Sequence, residues 1–207
     1  MKWASCFLLL FFFACAEEPK SSSSLNRDTN QARQSPIRTA AANPYVPVDV
    51  SPMDIIYFPI EYPLTKSSKP DTLAPKARVI YSRPQKQGRK IFGALIKWDE
   101  PWRLGANEAT EIEFFNTATI QGRRINAGRY ILYCIPQENN WTIVFNSNSF
   151  SWGLHPTPAK DVARFTIPVQ KAPSTIEYFT MAFQKTTNGA ELIMAWDDSE
   201  ARLPIQF

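Results

Sequence analysis

The chain has 207 residues, and its 23 lysines and arginines against 19 aspartates and glutamates give a net charge of +4. This excess is small and dispersed, so it gives no ground for nucleic-acid binding, which normally needs a concentrated basic patch. The single histidine, His155, excludes a metal site built from several histidines.

The first predicted element is a bacterial signal peptide at residues 1–14. Lys2 precedes an apolar run at 7–13, and small Ala14 stands directly before Cys15. This order is typical of a lipoprotein signal, so we expect Cys15 to become the acylated first residue of the mature chain. The apolar run is shorter than the ~20 residues that span a bilayer. The alternative is an ordinary secretory signal with cleavage after Ala16, which would release a soluble secreted or periplasmic protein.

Cysteine usage indicates that the folded part is stabilised by its core and by no disulfide. Cys6 leaves with the signal and Cys15 carries lipid, so Cys134 has no intramolecular partner. Residues 15–44 are predicted to form the lipidated N-terminus and a flexible spacer, because they are rich in polar residues and poor in large apolar ones. Residues 45–207 have the length of one domain.

Short segments of alternating, β-branched or aromatic residues dominate this domain. They predict strands at residues 53–62, 78–83, 110–115, 118–121, 129–135, 141–145, 163–169, 176–183, 192–196 and 202–207. Residues 66–75 predict a long exposed loop, and residues 197–200 a solvated turn. Such a pattern is typical of an all-β sandwich or barrel. We predict a single β-sandwich of nine or ten short, mostly antiparallel strands.

Several blocks of the domain resemble the bacterial domain of unknown function 2911 family. In chain order they are YSRP at 81–84, GRKIFG at 88–93, WRLGANEAT at 102–110, AGRY at 127–130, IP at 135–136, WTIVFN at 141–146, WG at 152–153 and DV at 161–162. The block at 102–110 is highly specific. Leu104 departs from the threonine usual in the family, and Cys134 from a common Phe or Thr. The resemblance implies an all-β domain, often behind a secretion or lipoprotein signal, and it implies no established activity.

The loop at 102–110 is the strongest candidate for a binding site. It places polar side chains beside a large aromatic ring, and a hairpin could bring two upstream arginines to the same end of the sandwich. Guanidinium groups bind carboxylate, phosphate or sugar hydroxyls, and an indole offers a stacking surface. The predicted binding residues are Arg83, Arg89, Trp102, Arg103, Asn107 and Glu108.

A purely structural interpretation of the same loop remains open. Arg103 and Glu108 could form an internal ion pair that clamps the loop, while the side chain of Asn107 caps a turn. No catalytic residue, metal or cofactor is predicted: Cys134 lies in an apolar strand and indicates a buried thiol, and His155 lies in a Pro-rich loop.

Three functional hypotheses follow. The first is a lipid-anchored binding or accessory module of the cell envelope, held at the membrane by acyl chains on Cys15. We expect an outer-membrane lipoprotein facing the periplasm or the surface, with a small anionic or carbohydrate ligand or an envelope protein as partner. The second is a structural or protein-interaction domain without a small-molecule site. The third is a hydrolase acting through Glu108, although no general base, nucleophile or metal set accompanies that residue.

Overall fold

A computed structural model describes residues 45, 49–69, 71 and 74–207. The predicted signal peptide at 1–14, the lipidated Cys15 and the whole of the spacer up to residue 44 lie outside the described residues, so those assignments stay predictions. The fold below is that of the compact unit Asn43–Phe207. Within the described ranges, no helix has the length and apolar character needed to span a bilayer.

The described chain is all-β, as predicted. It contains nine strands, one short α-helix and a single 3₁₀ turn. In chain order the elements are β1 (Met53–Phe58), α1 (Tyr62–Ser68), β2 (Ala77–Ser82), β3 (Thr110–Phe114), β4 (Ala118–Ile120), β5 (Arg123–Ile125), β6 (Gly128–Pro136), β7 (Asn140–Asn146), the 3₁₀ turn (Pro158–Lys160), β8 (Asp161–Thr186) and β9 (Gly189–Gln206).

The strands form one antiparallel sheet that folds over itself into two layers. The order of the strands is β1-β2-β3-β6-β7-β8-β9-β4-β5. The first part of β8, from Asp161 to Pro168, pairs with β7, whereas the part from Val169 to Thr186 pairs with β9. One strand therefore belongs to both layers, and the predicted sandwich is confirmed.

Two strands are much longer than predicted. β8 has 26 residues and joins the predicted strands at 163–169 and 176–183, and β9 has 18 residues and joins those at 192–196 and 202–207. The pairing shifts register around Ile176, where Asp197 adopts a left-handed φ of 56°. These irregularities bend the strands without ending them. The predicted turn at 197–200 is wrong for this reason.

Two further elements differ from the prediction. β1 ends at Phe58, before Pro59, and the residues that follow form α1, with a proline in its first turn. A helix therefore replaces the end of the predicted strand at 53–62 and the start of the predicted loop at 66–75. The short strand β5 was not predicted; it follows a turn in which Gln121 and Gly122 both have positive φ, which suits a tight hairpin.

Aromatic side chains fill much of the space between the layers. One group joins β1, β3, β7 and β8 to the C-terminus, and its members are Phe58, Phe114, Phe145, Phe165, Phe183 and Phe207. A second group lies at the other end of the core and consists of Phe92, Trp102, Trp141, Phe179 and Trp196. We call this second group the tryptophan cluster.

The hydroxyl of Tyr81 links the two layers. It donates to the carbonyl of Met181 over 3.1 Å and accepts the N–H of the same residue over 3.0 Å, so β2 is hydrogen-bonded to β8 across the core. Burial raises the pKa of Tyr81 to about 12, and the main-chain hydrogen bond to Met181 opposes this rise only in part.

Replacing Tyr81 with Phe should lower the free energy of unfolding by about 1–3 kcal/mol, because the buried N–H of Met181 loses its acceptor. Urea denaturation at neutral pH measures this loss. The matched control is Tyr178→Phe, since Tyr178 is exposed and its hydroxyl contacts only the side chain of Gln85 among the described residues; there the change should stay within about 0.5 kcal/mol.

The same substitution should alter the alkaline stability profile. A tyrosine whose pKa is raised on folding contributes its full stabilisation below pH 10, and this contribution is lost as the pH rises through about 12. Wild-type stability should therefore fall between these pH values and fall less steeply in Tyr81→Phe. Burial also raises the pKa of Tyr133 to about 12, so part of the slope should persist. If stability falls equally steeply with pH in the wild type and in Tyr81→Phe, the pKa of Tyr81 is not raised by folding.

Candidate functional site

The long connection between β2 and β3, residues 83–109, builds the candidate site. It is fixed to strands at both ends by main-chain hydrogen bonds. The N–H of Lys86 donates to the carbonyl of Glu177 in β8 over 2.7 Å. Trp102 and Cys134 in β6 exchange two bonds of 2.7 Å each. Because a connection of this length without regular structure is uncommon in a compact domain, its fixed geometry points to a function.

An open cavity of about 440 Å³ lies against this connection. Its walls come from three parts of the connection, from two further segments and from β9. The lining consists of residues 84–85, 87, 89, 95–96, 101–103 and 105–106 of the connection, residues 50–51 and 153–154, and Trp196. The volume lies in the range of small-molecule binding pockets.

The floor of the cavity is formed by two buried indole rings. Trp102 and Trp196 stack with their ring centroids 5.9 Å apart and their planes inclined by 22°. The indole N–H of Trp102 donates to the carbonyl of Gly105 over 3.3 Å, and that of Trp196 to the carbonyl of Glu177 over 3.2 Å. Both N–H groups therefore have partners within the protein, and the two rings are almost fully buried, so they support the cavity from below and expose only a small part of Trp102 to it.

The two charged side chains at the cavity are both arginines. Arg89 holds its own turn together, since its guanidinium donates to the carbonyls of Gln85 and Lys86. Arg103 is half-buried and forms no hydrogen bond or ion pair with any residue that the structure describes. Burial lowers the pKa of Arg103, and the charge of nearby Glu108 opposes this shift. Arg103 is therefore a partly desolvated cation without a direct partner.

The structure brings together three of the six predicted binding residues: Arg89, Trp102 and Arg103 all line the cavity. Arg83 lies outside the lining, where its guanidinium pairs with Asp54 at 3.3 Å and donates to the hydroxyl of Thr180 over 3.2 Å. The upstream arginines thus diverge, because Arg83 directly follows β2 and shares its contacts with β1 and β8.

The other two predicted residues lie beside the cavity. The amide of Asn107 donates to Asp49 over 2.6 Å and to the carbonyl of Ser51 over 3.4 Å, so it holds the segment that forms one wall. Glu108 is exposed and makes no hydrogen bond or ion pair with the described residues. The clamp hypothesis required an ion pair between Arg103 and Glu108, and no such contact forms between them within 4 Å. Their interaction is a longer-range electrostatic one.

The loop is held in an uncommon backbone conformation. Leu104 is fully buried with φ of 55°, and Asn107 has φ of 57°. A leucine in this region costs about 1–2 kcal/mol, which the surrounding packing must offset. Thr110 donates its hydroxyl to the carbonyl of Leu104 over 2.6 Å, and a Cβ at Gly105 would lie only 2.9 Å from the carbonyl oxygen of Ser82. Strained backbone of this kind often marks functional loops.

Most of the other lining residues were not predicted as binding residues. Trp196 was predicted only as the end of a strand, and Val50, Leu95, Ile96 and Leu154 were not singled out. In the segment at 153–155, Gly153 is the one residue whose type indicates its position. Its φ is 86°, and a Cβ built there would lie 3.0 Å from the Cβ atoms of Arg103 and Ala109. This close approach requires glycine, and it places Leu154 at the cavity wall.

The remaining reactive side chains lie apart from this lining. Cys134 is fully buried, and burial raises the pKa of its thiol well above the usual value, which disfavours the reactive thiolate. His155 is exposed. Asp197, in β9, accepts the N–H of Ile91 over 3.3 Å and pairs with Lys86 at 3.5 Å, so it helps to hold the connection. No group of three or more potential metal ligands occurs in the described part of the chain.

Comparison with known proteins gave one match. The model of a family described as "Protein of unknown function (DUF2911)" matches residues 65–205. A search of curated proteins and a search of solved structures each found no match. The matched stretch includes the connection at 83–109 and, beyond it, Leu154 and Trp196. Because the match covers more than half of the chain, the protein belongs to the DUF2911 family.

Proposed function

We propose that this protein is a lipid-anchored binding module of a bacterial cell envelope, with a small-molecule site in the cavity floored by Trp102 and Trp196. The observation that carries the proposal is the cavity itself: about 440 Å³, open to solvent, with two buried indoles below and two arginines at its walls. Apolar pockets with a few convergent polar groups are the usual form of ligand sites.

The proposed anchor is supported by the N-terminal sequence. Lys2, the apolar run at 7–13 and the Ala14-Cys15 pair have the order of a lipoprotein signal. Each methylene buried in the bilayer contributes about 0.8 kcal/mol, so more than one acyl chain on Cys15 would hold the protein firmly. The polar stretch at 15–44 would then separate the domain from the membrane, either in the periplasm or at the cell surface.

Binding, and not catalysis, is proposed because of the residue types at the cavity. Among the described lining residues there is no carboxylate, imidazole or thiol, and Ser51 supplies the one side-chain hydroxyl. General acid–base and nucleophilic catalysis both need such groups within hydrogen-bond reach of the reacting atoms. Glu108, the residue on which the hydrolase hypothesis depended, is exposed and does not line the cavity.

Acylation is tested by growing cells with an alkyne-tagged fatty acid and labelling the purified protein. The wild-type chain should take up the tag, and Cys15→Ser should lose it. Cys134→Ser is the matched control, because Cys134 is buried in β6 and should have no part in acylation. An unlabelled wild-type chain, or equal labelling of the two variants, would contradict the anchor.

Ligand binding is tested by thermal shift with a panel of small carboxylates, phosphates, sugars and peptides. At least one class should raise the melting temperature of the wild-type protein. Leu154→Asp should abolish that shift, because it places a carboxylate at the cavity wall, whereas Leu64→Asp should keep it, because Leu64 is 77% exposed on α1. A shift that survives in Leu154→Asp would place binding elsewhere, and a panel without any shift would argue against a small-molecule site.

A further inference from the structure

We propose that the ligand of this cavity is a small anionic amphiphile. Its apolar or aromatic body would pack against Leu95, Ile96 and Leu154, and its carboxylate or phosphate would bind Arg103. This inference rests on the proposed function, since it names the ligand class of the same site.

The floor and walls select for an apolar body. Trp102 and Trp196 are 6% and 1% exposed, and both indole N–H groups already have carbonyl partners. Leu95, Ile96 and Leu154 line the same space. A flat ring or a short hydrocarbon chain would replace water against these aliphatic side chains and against the small part of Trp102 that remains exposed.

The local charge favours an anion. Arg89 and Arg103 are the charged side chains in the described lining. Two carboxylates of the supporting strands already have partners: Asp197 pairs with Lys86 at 3.5 Å, and Glu177 accepts the main-chain N–H of Gln87 over 2.8 Å. The cavity therefore has positive charge at its wall without a matching acid inside it.

Arg103 is the better anion anchor of the two arginines. All five of its N–H donors lack a partner among the described residues, whereas Arg89 already donates to two main-chain carbonyls. A half-buried guanidinium has lost part of its hydration, and its planar fork matches carboxylate and phosphate oxygens in a bidentate arrangement. An anion at this point would accept hydrogen bonds from these donors in place of water.

The cavity is poorly suited to a neutral sugar. Sugar hydroxyls need acceptors as well as donors, and the arginines provide donors alone. Of the two glutamine side chains at the wall, the Oε1 of Gln85 already accepts the amide of Gln87 over 3.2 Å, and its Nε2 donates to Tyr178 over 3.1 Å. The side-chain acceptors that remain in the lining are the Oε1 of Gln87 and the hydroxyl of Ser51, fewer than the several hydroxyls of a sugar require.

Glu108 acts on this site from outside it. Its carboxylate interacts electrostatically with Arg103 and does not line the cavity. A negative charge near the anchor repels an anionic ligand, so Glu108 should weaken the binding of an acid. Neutralising Arg103 and neutralising Glu108 are therefore expected to have opposite effects on the same ligand.

The test is isothermal titration calorimetry of the purified full chain with four probes. 3-Phenylpropanoate and 3-phenylpropanamide have the same shape and differ in charge; phenyl phosphate tests the second kind of anion, and methyl α-glucoside is the neutral sugar. The acid should bind at least about 10-fold more tightly than the amide. Whichever of phenylpropanoate and phenyl phosphate binds more tightly identifies the preferred anionic group.

Variants assign that preference to Arg103. Arg103→Gln should reduce the acid-to-amide ratio to about 1, whereas Glu108→Gln should raise the affinity of the acid about 2- to 5-fold and leave the amide unchanged. Arg124→Gln is the matched control, because Arg124 is exposed on β5, away from the cavity. If Arg103→Gln fails to fold, the gain in Glu108→Gln still decides the question.

Equal binding of acid and amide, preference for the glucoside, or an unchanged ratio in Arg103→Gln would overturn the anionic ligand. The proposed function would survive the first two results if binding of the neutral probe disappeared in Leu154→Asp. If none of the four probes binds the wild-type chain, the proposal of an anionic ligand is wrong. The broader panel of the thermal-shift experiment then decides whether the cavity binds any small molecule.

Discussion

The packing of one indole ring, that of Trp102, is the interaction on which the rest of this structure depends. Four aromatic rings surround it, with centroids between 5.0 and 5.9 Å away: Phe92, Trp141, Phe179 and Trp196. They come from the connection itself, from β7, from β8 and from β9, so one side chain joins both layers of the sandwich. Main-chain bonds with Cys134 attach the same residue to β6. Cys134 is the one cysteine in the described chain, so this end of the core is joined by packing and not by a disulfide.

The same ring gives the domain both stability and a binding surface. Its burial fixes residues 83–109 against the sheet, and the fixed connection then holds features that are unfavourable alone: the left-handed φ of Leu104 and the unpaired guanidinium of Arg103. Binding sites on loops need such rigid support, because a loose wall would lose the geometry of its polar groups. The wall at residues 49–51 is held in a similar way, through the amide of Asn107. Stability and site are therefore two consequences of one cluster.

Sequence patterns predicted the strand content correctly, and they singled out the candidate loop, for local reasons. Alternation along β3 and the glycines at the turns are local signals, and so is the run of polar residues beside Trp102. The long strands were missed because a β-bulge within a strand and a turn that ends a strand have similar residues. Pro173 in β8 and Asp197 in β9 are of the types that turns also contain. Partners of the loop were missed because contact with Trp196 depends on the register of β8 with β9, which no local pattern fixes. Arg83 and Arg89 looked equivalent in sequence, but they have different partners in the structure. Arg83, directly after β2, pairs with Asp54, whereas Arg89 donates to main-chain carbonyls of its own turn beside the cavity.

The central claim is that Trp102 is a core residue of the domain as well as the floor of its cavity. Equilibrium urea unfolding of Trp102→Ala tests this claim most directly, with Trp152→Ala as the control, since Trp152 is 56% exposed. We expect Trp102→Ala to lower the free energy of unfolding by about 3–5 kcal/mol, the usual cost of removing a large buried aromatic side chain. A loss within about 0.5 kcal/mol, as for an exposed residue, would contradict it.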